Sequence, residues 1–351
     1  MRRGNFNRAE AVVVGVIASA VGIAAGLLIH WFPTAASTQA GPIDTLWDVL
    51  LVVSIPIFVI VACVVLFSVK WFRVQPGEEN EDGPPIHGNT KLEVIWTAIP
   101  SALIASLVVY AYIVLVDIEK APANPSQERH VRVTARQFAW SFEYDNPKAG
   151  GKPITSNFLY LPEDESVKFD IKALDVLHDF WVPAFRMKID AVPGITTHYR
   201  VTPNRKGTYP VVCAELCGLG HAFMRSEAHV VSRADFDAWL AKLAAPPAPA
   251  GGGETAAVDA KKLFTDGNGT SIACGQCHTL ADAGTSGQVG PVLDKVLADK
   301  DAAFIKESIL NPSAEVAKGF QDGIMPKDYS KTLSPQELDA LVNYLDKVTS
   351  K

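Results

Sequence analysis

The sequence predicts a membrane-anchored protein of several domains: apolar spanning helices first, then an all-β domain, then a small all-α domain. Three observations lead there. Mean hydropathy is +0.14 although 20% of the 351 residues are charged, so the apolar residues must be concentrated in part of the chain. They lie in three runs, at about 11–32, 44–70 and 92–116, each long enough to cross a hydrocarbon core of ~30 Å as a helix. From about residue 128 to 231 the pattern changes to short alternating segments rich in Val, Ile, Phe and Tyr, and the last ~95 residues return to helical spacing.

Arg2, Arg3 and Arg8 precede the first run and keep its start on the cytoplasmic side. Residues 1–40 are then either an N-terminal apolar helix or a signal segment cleaved within the small residues Thr34 to Ala40. Both readings leave residue 40 outside. The second run travels inward to Lys70, Trp71 and Arg73 and the third returns from Lys91, so residues 41–120 read as a transmembrane hairpin and everything after about Asp117 faces outward. The acidic group Glu78, Glu79, Glu81 and Asp82 carries little topological weight, because basic residues set orientation. Trp31, Trp47, Trp71 and Trp96 fall near the ends of the runs, at headgroup level.

Segments such as His130 to Val133 and Val167 to Ile171, separated by Pro, Gly, Asp and Asn, predict a sandwich or barrel over 121–243, closed by a helix from Arg233 to Leu243. Residues 244–256 are a Pro/Ala/Gly linker. In 257–351 helical periods occupy Asp259 to Phe264, Asp301 to Leu310 and Pro335 to Val348, with no strand pattern; Ser334, Pro335 and Glu337 form a capped helix start.

A net charge of −6 without a long Lys/Arg run argues against nucleic acid, which requires a clustered basic footprint. Of five cysteines, Cys63 lies in an apolar run and the others form two tight pairs, Cys213 with Cys217 and Cys274 with Cys277. In Cys213-Ala-Glu-Leu-Cys217-Gly-Leu-Gly-His221-Ala-Phe-Met224 two thiols, an imidazole and a thioether follow at intervals of four, four and three. These donors suit copper. One copper needs one thiolate; two thiolates can bridge two ions, with a second histidine from elsewhere. His178, before the aromatic Phe180-Trp181, is the natural candidate. The alternative is a Cys213–Cys217 disulfide, the default for neighbouring cysteines outside the cytoplasm, which leaves the spacing of His221 and Met224 unexplained.

Leu177 to Pro183, Asp190-Ala-Val-Pro-Gly194 and Cys213 to Met224, with the hairpin before them, resemble the binuclear copper A domain of cytochrome c oxidase subunit II over about residues 41–243. The resemblance implies a cupredoxin fold in which Cys213 and Cys217 bridge both coppers, His178 and Met224 complete one, and His221 and the Glu215 backbone carbonyl complete the other. Sharing one electron over two bridged ions keeps reorganisation small. The Glu215 carboxylate resembles the family's ligand to a magnesium ion shared with subunit I. Gln137 to Tyr144 resembles the aromatic segment that receives electrons from cytochrome c, with Trp140 present but Phe138 where the family usually has Trp. Glu93 matches a carboxylate at the mouth of a proton channel into subunit I. His30, His87, His130, His198 and His229 have no motif around them and read as surface or interface residues.

Cys274-Gly-Gln-Cys277-His278 is the C-x-x-C-H attachment signal for a c-type haem, two thioethers plus a proximal histidine; a redox C-x-x-C is the bland alternative. Met325, the one methionine of this region, offers the opposite axial ligand, and a His/Met pair leaves no open iron position. Gly290-Pro291 resembles the loop that packs on the proximal histidine in class I cytochromes c. The combination resembles subunit II of caa-type haem–copper oxidases, which carry a fused cytochrome c. The family implies an inner-membrane bacterial protein that takes electrons from a cytochrome c or a quinol–cytochrome c reductase through haem c and copper A to subunit I, with subunit III alongside, where oxygen is reduced and protons are translocated. No histidine cluster in the membrane runs could itself hold an oxygen site. Tethering raises the effective concentration of the haem domain, which would make Phe138 tolerable. Other readings are the copper A subunit of a nitric oxide reductase and a membrane-anchored electron shuttle.

Overall fold

The computed structural model describes residues 8–74, 77, 85–124, 128–146, 151, 153–244, 258–268, 271–327 and 329–350. The acidic group at 78–82 and, apart from Ala244, the linker at 244–256 lie outside the described residues. The chain forms two bodies, one of residues 1–34 with 39–120 and one of 35–38 with 121–351.

The first body contains α1 (Arg8–Leu28), α2 (Ala40–Trp71) and α3 (Thr90–Ile118), all apolar and long enough to span a bilayer. α1 packs on α2 where it carries glycines: a Cβ at Gly22 would lie 2.8 Å from Ile55, and one at Gly26 3.1 Å from it. The first helix ends at Leu28, earlier than the apolar run predicts. The remaining apolar side chains turn back instead, with Trp31 Nε1 donating to the Gly26 carbonyl at 2.8 Å and the Trp31 and Phe32 rings edge-on to Trp47. At the start of α3, Asn89 accepts from the Leu92 N–H at 3.1 Å and Glu93 accepts from the Asn89 N–H at 3.0 Å, a reciprocal cap.

In the second body, β1 (Arg129–Arg136), β2 (Ala139–Tyr144), β3 (Ile154–Ser156), β4 (Leu159–Pro162), β5 (Val167–Ala173), β6 (His178–Trp181), β7 (Lys188–Ala191), β8 (Thr197–Val201), β9 (Gly207–Cys213) and β10 (Arg225–Val231) form a sandwich. Its sheets run in the orders β3-β2-β1-β5-β8 and β4-β10-β9-β6-β7. The alternation read in the sequence is the burial pattern, with every second residue of β1 and β5 inward. Phe180 sits at the centre, its ring 5.4 Å from Trp140, 5.6 Å from Phe169 and 6.1 Å from Phe142. α4 (Arg233–Ala244) closes one end through Phe236 and Leu240. Residues 35–38 join the sandwich, the Ala36 N–H donating to Ala184 and the Thr38 N–H to Thr202.

The helical part comprises α5 (Ala260–Asp266), α6 (Leu293–Val296), α7 (Ala302–Leu310), α8 (Tyr329–Thr332) and α9 (Pro335–Thr349) around Phe264, Leu280, Ile305 and Leu341. Ser334 and Glu337 make the expected capping box at α9. One correction concerns strands. β11 (Thr279–Leu280) pairs with β12 (Thr285–Ser286), a ladder too short to leave an alternation signal, held by Thr285 Oγ1 donating to the His278 carbonyl. His229 is partly buried and stacks on Tyr160 at 4.6 Å between ring centroids.

Phe180→Ala should remove the ring on which both sheets converge and cost about 3–5 kcal/mol. Urea unfolding of the detergent-solubilised chain, followed by tryptophan fluorescence, measures the loss; a cost under about 1 kcal/mol would contradict this account of the core.

Candidate copper and haem sites

β6 and β9 are antiparallel neighbours with Phe180 opposite Cys213, which brings His178, at the start of β6, beside the end of β9. The loop after Cys213 then returns to the same sheet, since Arg225 pairs with Val212 and the Cys213 N–H donates to the Met224 carbonyl. The spacing of four, four and three is thereby wound into one closed loop. Cys213 Sγ lies 3.8 Å from Cys217 Sγ, 3.8 Å from His178 Nδ1 and 3.2 Å from the Glu215 carbonyl. Cys217 Sγ lies 3.6 Å from His221 Nδ1 and 3.8 Å from Met224 Sδ. All six predicted donors are in one place. The sulfurs are far beyond the ~2.05 Å of a disulfide, and both thiols are free. His178 and Met224 are wholly buried.

The electrostatics of this cluster show what it needs. Burial opposes ionisation of Cys213, yet hydrogen bonds from His178 and from backbone N–H groups draw its thiol below the usual range. Cys217 is pushed well above that range by burial and by the neighbouring Cys213 charge. One thiolate thus opposes a second, and both can be ionised only with a cation between them, as the donor set for two soft metal ions requires. The remaining nitrogen of His178, Nε2, donates to Asp175 Oδ1 at 2.9 Å. Asp175 in turn accepts the backbone N–H groups of Gln137 and Val176, each at 2.7 Å. Burial works to raise the Asp175 pKa, but these donors hold it below the ordinary carboxylate value. Sequence reading missed this residue; the signal was a carboxylate three positions before a candidate ligand, which is a common spacing and weak by itself.

The aromatic segment after β1 packs directly on the loop. Gln137 Nε2 donates to the Cys217 carbonyl at 2.6 Å and Trp140 Nε1 to the Met224 carbonyl at 3.4 Å. The Phe138 ring covers Gly220, where a Cβ would come within 2.4 Å of it. Glycine there lets the ring lie on the loop.

In the helical part, Cys274, Cys277, His278 and Met325 all line one apolar cavity of about 380 Å³ walled by residues including Leu293, Phe304 and Ile309. His278 Nδ1 is bonded to the Pro291 carbonyl at 3.0 Å, which fixes the ring and leaves Nε2 for a ligand. A Cβ at Gly290 would lie 2.4 Å from the same ring, so only glycine permits the contact. Burial pushes the Cys274 thiol up to about 12 and Cys277 up to about 11. Two neutral thiols, one oriented imidazole and an apolar slot suit covalent haem attachment better than metal binding, which would need thiolates.

A three-helix anchor, a sandwich carrying a two-thiol donor loop and a helical domain with a C-x-x-C-H slot define a membrane-bound electron-transfer protein. Residues 24–114 match the family model of the cytochrome c oxidase subunit II transmembrane domain, 152–231 that of its periplasmic domain, and 257–349 that of cytochrome c. Cytochrome c oxidase subunit 2 of Thermostichus vulcanus is 33% identical over 279 residues, 65% of this chain and 82% of that protein. The subunit of Alkalihalophilus pseudofirmus is 31% identical over 295 residues, 82% of this chain and 81% of that protein. The crystal structure of the periplasmic domain of subunit II of cytochrome oxidase from Bradyrhizobium japonicum is 28% identical, covering 35% of this chain and 96% of that one at a TM-score of 0.32. The chain belongs to the cytochrome c oxidase subunit II family, with a C-terminal cytochrome c domain.

Asp175→Asn should weaken copper binding about 10- to 100-fold, the usual effect of removing an outer partner of a ligating histidine; competitive titration of the metal-free chain with a copper chelator measures it. Copper uptake should also release the Cys217 proton. The sign follows from the raised thiol: below its pKa the proton competes with the metal, so affinity rises with pH. Titrations giving one affinity from about pH 6 to about pH 9 would refute the coupling.

Proposed function

We propose that this chain is the electron inlet of a haem–copper oxidase and that its two donor sets act in sequence. The observation carrying this reading is the six-donor cluster of His178, Cys213, Glu215, Cys217, His221 and Met224, closed around two sulfurs 3.8 Å apart. Copper bound there, and haem held through Cys274, Cys277, His278 and Met325, supply one-electron redox chemistry. The protein residues do the rest. Paired thiols bring two ions together, His178 and His221 flank them, and the buried sandwich keeps all of these side chains nearly fixed on a change of charge. In the helical domain, Gly290 and Pro291 orient His278. An external donor, a cytochrome c or a quinol–cytochrome c reductase, delivers electrons to the helical domain on the outer face, and subunit I receives them from the sandwich; subunit III completes the assembly.

Three finer assignments belong to the same reading. The Glu215 side chain, half-buried on the copper loop, is a ligand to magnesium shared with subunit I; its charge reaches the buried Asp179, whose pKa is raised by burial and by that neighbour among others. Trp140 and Phe138 lie in the region through which electrons enter, supported by their contacts with the copper loop. Glu93 stands at the mouth of a proton channel, at the start of α3, where its carboxylate also caps the helix.

The test is purification of the complex in mild detergent and assay of oxygen uptake with a reduced cytochrome. Cys217→Ser should abolish the mixed-valence copper signal and oxygen uptake while leaving the haem c spectrum unchanged. A variant that keeps the full copper signal would sink the assignment.

A further inference from the structure

The helical domain and the sandwich belong to one body, and they touch. Two residues of the haem slot, Val289 and Ile324, pack against the apolar core cluster of the sandwich. A hydrogen bond also crosses between the domains, from Asn157 Nδ2 to the Ser271 carbonyl. Both ends are held by their own domain. Asn157 follows β3, where the chain passes from one sheet to the other, and its backbone carbonyl accepts from Ser226 Oγ at 2.5 Å. Ser271 is buried, its N–H and hydroxyl both directed at Asn268 Oδ1, at 2.8 and 3.0 Å, and Asn268 Nδ2 donates to the Thr332 carbonyl and Glu337. The next carbonyl, of Ile272, accepts from Tyr329. The haem-binding loop is thus fixed from within and directs one carbonyl at the sandwich.

We propose that Asn157 is the positioning residue of this contact, its side-chain amide setting the register in which the cytochrome domain sits on the copper domain of the same chain. The inference rests on the haem and copper reading above and adds where the two centres meet. Ser226 lies two residues after the copper-donor Met224, and Ser271 three residues before Cys274. The path Met224, Arg225, Ser226, Asn157, Ser271, Ile272, Ala273, Cys274 joins the donor sets through two hydrogen bonds and short stretches of chain. With haem and copper bound, this path would carry one electron, the haem iron going from iron(II) to iron(III) and the copper pair being reduced by one, with no bond or proton moving. Val289 and Ile324, at the haem slot, exclude water from the contact, while the amide sets its register. Residue 157 needs a donor, because its partner is a carbonyl.

Two variants in the purified holoenzyme separate positioning from packing. Asn157→Asp keeps size and shape but removes the donor and places a carboxylate against a carbonyl. Asn157→Gln keeps the donor on a longer arm. Hydrogen exchange over 271–273 reports docking without either cofactor, and photoreduction of the haem followed by copper reduction reports the internal rate. Asn157→Asp should speed exchange and slow internal transfer about two- to tenfold, the population ratio that one hydrogen bond maintains. Asn157→Gln should stay close to the parent, and tenfold dilution should leave the parent's rate unchanged. Parent-like behaviour of Asn157→Asp, greater damage from Asn157→Gln, or a rate that falls on dilution would each overturn the proposal. Failure of the underlying reading shows separately, as a parent enzyme without haem c or copper absorption.

Discussion

Two thiols buried side by side cannot both be thiolates without a positive charge between them, and the sandwich is arranged around that constraint. Cys213 and Cys217 are each nearly inaccessible to solvent, and neighbouring donors favour ionisation at Cys213 while the resulting charge suppresses it at Cys217. A loop with this conflict is stable in its ionised state only when metal fills it. Around it, Asp175 and Gln137 tie His178 and the Cys217 carbonyl to the segment after β1, so a donor cluster carried by one sheet and its loop is braced from the other.

The helical domain handles its ligand by the opposite electrostatics. Its thiols are half-buried against apolar walls and held neutral, and its histidine is oriented by a backbone carbonyl rather than a carboxylate. Burial also lowers the pKa of His278, which keeps the imidazole neutral and available as a ligand. One chain therefore carries a polar, charge-demanding site and an apolar, neutral one. Each suits its group, two cations in the first case and a large flat macrocycle in the second.

Legibility followed the range of the interactions. The three spanning helices, the alternating strands and the capped α9 were readable because burial repeats with a fixed period and capping residues act within one turn. The C-x-x-C-H segment and the loop from Cys213 to Met224 were readable because their ligands are close in sequence. His178 could be named as a partner from its aromatic surroundings, but its place beside Cys213 depends on the pairing of β6 with β9. Asp175 and Gly220 beneath Phe138 escaped notice because their roles are contacts made across strands and loops, whereas Gly290 beneath His278 was named only through the resemblance of Gly290-Pro291 to a cytochrome c loop. The two-residue ladder of β11 and β12 was too short to carry a pattern.

The sequence by itself determined which residues could bind metal and haem, which segments could enter a bilayer and which family the chain resembles, since these depend on side-chain chemistry and on spacings of a few residues. Only the tertiary structure decided that four further donors converge on the two thiol sulfurs, that a carboxylate orients His178, and that the carbonyl of Ser271 meets Asn157 114 residues away in the chain. The reason is physical. Local chemistry is written in neighbouring residues, whereas convergence depends on strand register and on loops that close over long sequence separations.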